Sequence, residues 1–100
     1  MSVRVVRYEV PVDDVWHPLQ LSGPIVHATC RGMTYVEFWV LASDQPADTR
    51  WFRAFRDDHE VPGDAIYRGT ALSPTGPGPF SQPYGQFVWH LFETQDPREV

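Results

Sequence analysis

The stretch Thr34-Tyr35-Val36-Glu37-Phe38-Trp39-Val40-Leu41-Ala42 is the most apolar in the chain. Successive side chains of an extended backbone point to opposite faces, so Val36, Phe38 and Val40 share one side and Tyr35, Trp39 and Leu41 the other. A strand that is apolar on both faces is one covered on both. Gln86 to Glu93 has the same character, with Phe87, Trp89 and Leu91 set against Val88, His90 and Phe92. Two such strands require a sheet that curls over on itself or dimerises.

The surrounding segments are half-buried strands by the same alternation. Val3 to Val12 sets Val6, Tyr8 and Val10 against Arg7 and Glu9, and Asp13-Asp14 follows as a turn. Val15 to Leu21 forms a second strand, with Pro18 limiting it to a sheet edge. Ser22-Gly23-Pro24 breaks the chain, and Ile25 to Arg31 is a third strand in which Val26, Ala28 and Cys30 alternate with His27 and Thr29. Ser43 to Thr49 is a polar loop, Trp51 to Phe55 a fifth strand, and Asp57 to Asp64 an acidic loop ending in Pro62-Gly63. Ile66 to Leu72 is a sixth strand, where Gly69 marks a bulge or a close backbone approach.

No apolar repeat at i, i+3, i+4 and i+7 is sustained, so at most one short helical turn is expected, near Ala47 to Trp51 or Gly63 to Tyr67. The fold class is therefore all-β, with about seven short antiparallel strands in a small sandwich or partly open barrel. Residues 1–93 form a single domain interrupted by a surface loop at 73–85, where four prolines and three glycines preclude a regular element, and residues 94–100 form a polar tail.

Composition excludes several function classes. Hydrophobic residues make up 42% of the chain and charged ones 21%, which is globular and not disordered. A net charge of −5 opposes attraction to nucleic acid or to an anionic membrane, both of which require a positive field. No apolar run approaches the ~20 residues that span a bilayer. The N-terminal alternation lacks the apolar core of a signal peptide, and Cys30 is the only cysteine, so no internal disulfide can form. A cytoplasmic protein is the expectation. All eight cationic residues are Arg, and Asn is absent, which fits a coding sequence rich in G and C.

The residues able to carry chemistry are few and scattered. His17, His27, His59 and His90 lack i, i+2 or i, i+4 spacing, so any metal site would depend on tertiary placement. Cys30 alternates with Val26 and Ala28 as a small buried hydrophobe would. Gly76-Pro77-Gly78-Pro79 puts proline where a phosphate cradle needs N–H donors. Arg50, Arg53 and Arg56 interleave with Trp51, Phe52 and Phe55 in the manner of single-strand nucleic-acid binders. In an extended segment, however, Arg53 joins Trp51 and Phe55 while Arg50 and Arg56 join Phe52. No catalytic, metal-ligating or cofactor-binding residue is assigned. Rigid aromatic side chains lose little entropy on binding. Phe80 and Tyr84 in the 73–85 loop, Trp89 and His90 on the last strand, and Trp51 with Arg53 are therefore the candidate partner-binding residues.

Arg7-Tyr8-Glu9-Val10-Pro11-Val12, Val36-Glu37-Phe38-Trp39-Val40-Leu41, Phe52-Arg53-Ala54-Phe55, Tyr67-Arg68-Gly69-Thr70 and Val88-Trp89-His90-Leu91-Phe92-Glu93 occur in an order that resembles the DUF7352 type of short bacteriophage and actinobacterial proteins. The resemblance spans Val5 to Glu93 and implies a shared core and a phage-related origin, with no activity attached. The chain departs from the family pattern twice. Arg56-Asp57-Asp58 stands where the family carries Gly-Thr-Gly, and the Pro-rich loop replaces a short Gly-rich hairpin.

The function expected on these grounds is a non-enzymatic protein-binding or structural module, its partner another protein or a second copy. A small metal-dependent hydrolase using His59 or His90 with Asp57, Asp58 or Glu93 is the alternative. Single-strand nucleic-acid binding through Arg50, Arg53 and Trp51 is the weaker one.

Overall fold

A computed structural model describes residues 2–30, 34–72 and 88–97. Seven strands run β1 (Arg4–Pro11), β2 (His17–Leu21), β3 (Ile25–Thr29), β4 (Tyr35–Ala42), β5 (Asp48–Phe55), β6 (Ile66–Leu72) and β7 (Val88–Thr94). All pairings are antiparallel, in a three-stranded sheet ordered β1-β4-β3 and a four-stranded sheet ordered β2-β5-β7-β6. The two sheets face one another as a small β-sandwich, and among the described residues no closed barrel forms. The two doubly apolar segments are central strands, one in each sheet.

The core lies between the sheets and comes from one parity of each strand. Val10, Val36, Phe38 and Val40 contribute from the three-stranded sheet, and Leu21, Phe52, Ala54 and Leu91 from the other. Phe38 meets Phe52 across the gap with ring centroids 4.9 Å apart, and Tyr8 stacks on Phe38 at 5.7 Å. Burial of each such ring contributes about 1.5–3 kcal/mol relative to exposure. The opposite faces of β4 and β7 are only half covered: Tyr35, Trp39 and Leu41, like Val88, His90 and Phe92, are partly exposed.

Three details differ from the sequence reading. Val26 is 54% exposed because the β3–β4 register shifts between Ile25 and His27, which turns Ile25 inward in its place. Strand β5 begins at Asp48, inside the expected loop, because Asp48 and Thr49 pair with Leu21 and Gln20 of β2. Strand β7 runs through Thr94 into the expected tail, since Trp51 gives Thr94 a partner. The expectation of at most one short helical turn agrees with the described residues, which form no helix, and residues 48–51 belong to the β5 ladder.

Two glycines and two aspartates take positive φ among the described residues, Asp14 at 62° in the β1–β2 turn being one of them. Gly23 has φ +107°, and a Cβ there would meet the Leu41 carbonyl oxygen at 2.0 Å, so no other residue fits. Gly69 has φ +147° at a register shift between Tyr67 and Gly69, and its Cβ position lies 3.4 Å from Ala28, so it allows both a bulge and a close approach of the sheets. Asp58 adopts φ 66° in the β5–β6 loop, at the place where the resembling pattern has its second glycine. Aspartate tolerates this left-handed conformation better than most side chains.

Candidate functional site

Two surfaces of the four-stranded sheet gather polar chemistry, one on each side. On the outer side, Trp51, Arg53 and Phe55 of β5 stand beside Thr94, Phe92 and His90 of β7, and Tyr67 and Thr70 of β6 continue the row. Phe92 makes edge contacts with Phe55 at 5.5 Å and with Tyr67 at 5.6 Å, and Trp16 closes on Phe55 at 5.8 Å. The Arg53 guanidinium lies 4.4 Å from the Phe55 ring centre, close enough for a cation–π contact. Along the edge strand β6, Ile66, Tyr67 and Leu72 are 47%, 55% and 51% exposed.

His90 is the polar centre of this face. Its Nδ1 is 3.0 Å from Thr70 Oγ1, and its Nε2 is 2.6 Å from Asp57 Oδ1. Thr70 Oγ1 is in turn 2.5 Å from the Tyr67 hydroxyl. The chain Asp57–His90–Thr70–Tyr67 thus joins the β5–β6 loop to β7 and β6. One residue of the altered Arg56-Asp57-Asp58 turn supplies its carboxylate.

On the inner side, at the end of the sandwich near the β2–β3 turn, Glu93 is buried and held by two arginines. Arg50 donates from Nε to Oε2 at 2.5 Å and from Nη2 to Oε1 at 2.8 Å, while Arg68 Nε donates to Oε1 at 2.7 Å. Arg50 Nη1 also donates to the Gly23 carbonyl at 2.8 Å. The β6 bulge leaves Arg68 out of the pairing register with β7, which frees it to turn toward Glu93. Burial pushes the Glu93 carboxyl up, but the hydrogen bonds from Arg50 and Arg68 outweigh it and hold the group below the usual carboxylate range. These three side chains form the floor of an open cleft of about 710 Å³ whose rim includes Gly23, Asp48 and Gln95.

The six candidate binding residues separate accordingly. Trp51, Arg53 and His90 share the outer face. Trp89 points inward, 5% exposed, with the Arg56 guanidinium 5.1 Å from its ring centre. Phe80 and Tyr84 lie outside the described residues, as does the 73–85 loop. Of the hydrolase residues, His90 and Asp57 come together, whereas Glu93 is on the opposite face of β7 from His90. Among the described residues no three His, Cys, Asp or Glu side chains gather as metal ligands would. The proposed nucleic-acid set divides too: Arg50 is engaged inside with Glu93 while Trp51 and Arg53 face out. Cys30 is buried and lies 3.2 Å from the Tyr35 carbonyl, toward which its thiol donates.

Sequence reasoning overlooked the Arg50–Glu93–Arg68 cluster. A signal for it existed, because Arg50 has the parity of Phe52 and Glu93 that of Trp89 and Leu91, so charged residues occupy the apolar faces of two strands.

The family model described as a domain of unknown function, DUF7352, matches residues 1–100. No curated protein and no solved structure matches the chain.

Proposed function

This chain belongs to the DUF7352 family, and we propose that it is a non-enzymatic protein-binding module whose contact surface is the outer face of the four-stranded sheet. The observation that carries this reading is the row of Trp51, Arg53, Phe92, Tyr67 and His90 on a face turned away from the core, bordered by exposed apolar residues of β6. Aromatic residues and arginine are the types enriched at interface centres, and edge-strand apolar groups supply further contact area. The partner is another protein, met in the cytoplasm. The phage-related origin belongs to the same proposal and draws support from the family resemblance.

A variant carrying Trp51→Ala, Arg53→Glu and Tyr67→Glu tests it. Affinity capture from the source cell, compared between wild type and variant, is expected to show one protein retained by the former and lost by the latter. Sedimentation velocity of the purified chain shows whether that protein is a second copy. Identical capture and sedimentation for the two chains would reject the surface.

A second reading rests on the His90 geometry. A histidine within hydrogen-bond reach of a hydroxyl and a carboxylate is the arrangement that activates a nucleophile, and Thr70, His90 and Asp57 have those distances. A small hydrolase built this way would cleave an activated ester such as 4-nitrophenyl acetate, and His90→Gln would abolish the turnover. Equal rates for wild type, His90→Gln and buffer would remove it.

A further inference from the structure

We propose that the cleft at the β2–β3 end of the sandwich is a binding site for a small polar ligand carrying a carboxylate, received by Arg68. The site is separate from the outer face and does not depend on it. Glu93 is shared by two guanidiniums, so these three groups carry one net positive charge, placed on the Arg68 side where the cleft is open. Arg50 spends Nε, Nη1 and Nη2 on Glu93 and Gly23. Arg68 spends only Nε, and among the described residues its two terminal nitrogens have no partner. Its side chain is 32% exposed within the cleft, against 13% for Arg50.

The unused Nη1/Nη2 edge of the Arg68 guanidinium can form paired N–H···O bonds with a carboxylate or phosphate. Because Glu93 already orients it, little side-chain freedom is lost when a ligand arrives. Asp48 on the rim selects between the two oxyanions. It adds a negative charge that disfavours a phosphate dianion and favours a singly charged carboxylate with an ammonium or hydroxyl donor beside it. A volume of about 710 Å³ holds a small molecule, within the usual range of ligand sites, roughly 300–1,000 Å³.

The test is a nitrogen-15 NMR titration of the whole chain that observes the arginine Nε–H signals, with glycine, sodium acetate and inorganic phosphate as separate probes. Glycine is expected to shift the Arg68 signal saturably, acetate more weakly, and phosphate least. Arg68→Gln is expected to weaken glycine binding at least tenfold, with the amide spectrum reporting that the variant is folded. The Trp51→Ala, Arg53→Glu, Tyr67→Glu variant is expected to bind glycine as wild type does, so failure of the outer face and failure of the cleft are told apart. Absence of a saturable shift in the wild-type chain with every probe would overturn the proposal, as would unchanged glycine binding in folded Arg68→Gln. Tighter binding of phosphate than of glycine would overturn the carboxylate assignment.

Discussion

Glu37, on the outer side of β4, and Glu93, on the inner side of β7, are both buried and both tied to arginine, but the arginines differ in setting. On the outer side, Arg7 Nη1 donates to Glu37 at 2.6 Å and to the facing Glu9 at 2.7 Å. At Glu93 one carboxylate serves two guanidiniums. The first arginine lies at the surface, its side chain 47% exposed, whereas Arg50 and Arg68 are drawn into the end of the sandwich. Water reaches the Arg7 guanidinium but not the Glu37 carboxylate, whereas at Glu93 all three charges are drawn inward and must balance one another.

The largest consequence falls on Glu93. Glu93→Ala leaves two guanidiniums in a buried setting without their carboxylate and is expected to cost about 3–5 kcal/mol in urea unfolding. Replacing all three charged residues by leucine is expected to restore much of that loss, because an apolar cluster needs no desolvation. A Glu93→Ala loss below about 1 kcal/mol would mean that water already serves the two arginines.

The same carboxylate makes stability depend on pH. The folded value of Glu93 lies below its ordinary one, so the unfolded chain takes up the proton first as the pH falls. Its contribution is therefore complete above the unfolded glutamate value, about 4.3, and disappears as the pH drops through the lower folded value. Wild type and Glu93→Gln are expected to differ most at neutral pH and to converge in acid. A gap that widens below pH ~4 would contradict the assignment.

Arg7→Ala is expected to lower the urea midpoint by less than Glu93→Ala, and that loss is expected to shrink in about 1 M salt, where exposed charges are screened. A loss equal to that of Glu93→Ala would show the outer pair to be as desolvated as the inner one. The smallest effect serves as a reference away from both glutamates. Asp58→Gly relieves the φ of 66° and is expected to add about 0.5 kcal/mol, the remainder of the relief being offset by the greater freedom of glycine in the unfolded chain.

Alternation was enough to find all seven strands, since a half-buried strand must place apolar groups every second residue. It failed at Val26, where a register shift changes the parity that periodicity assumes constant. On the site, the parity of Trp51, Arg53 and His90 was legible, but their neighbours were not. Strand β7 follows β6 in sequence yet lies between β5 and β6 in the sheet, so the meeting of Asp57, Thr70 and His90 depends on strand order.

Local chemistry thus accounts for which segments are extended and, Val26 apart, for which side of each faces the core. It acts over neighbouring residues, where backbone sterics and hydrophobic periodicity operate. The arginine pair on Glu93 has another origin. Arg50 and Glu93 are 43 positions apart and Arg68 and Glu93 25, and what unites them is the order of strands in the sheet and one bulge in β6. Strand order and bulge geometry are settled by how two sheets bury a shared core, a property of the whole chain that no short window of residues contains.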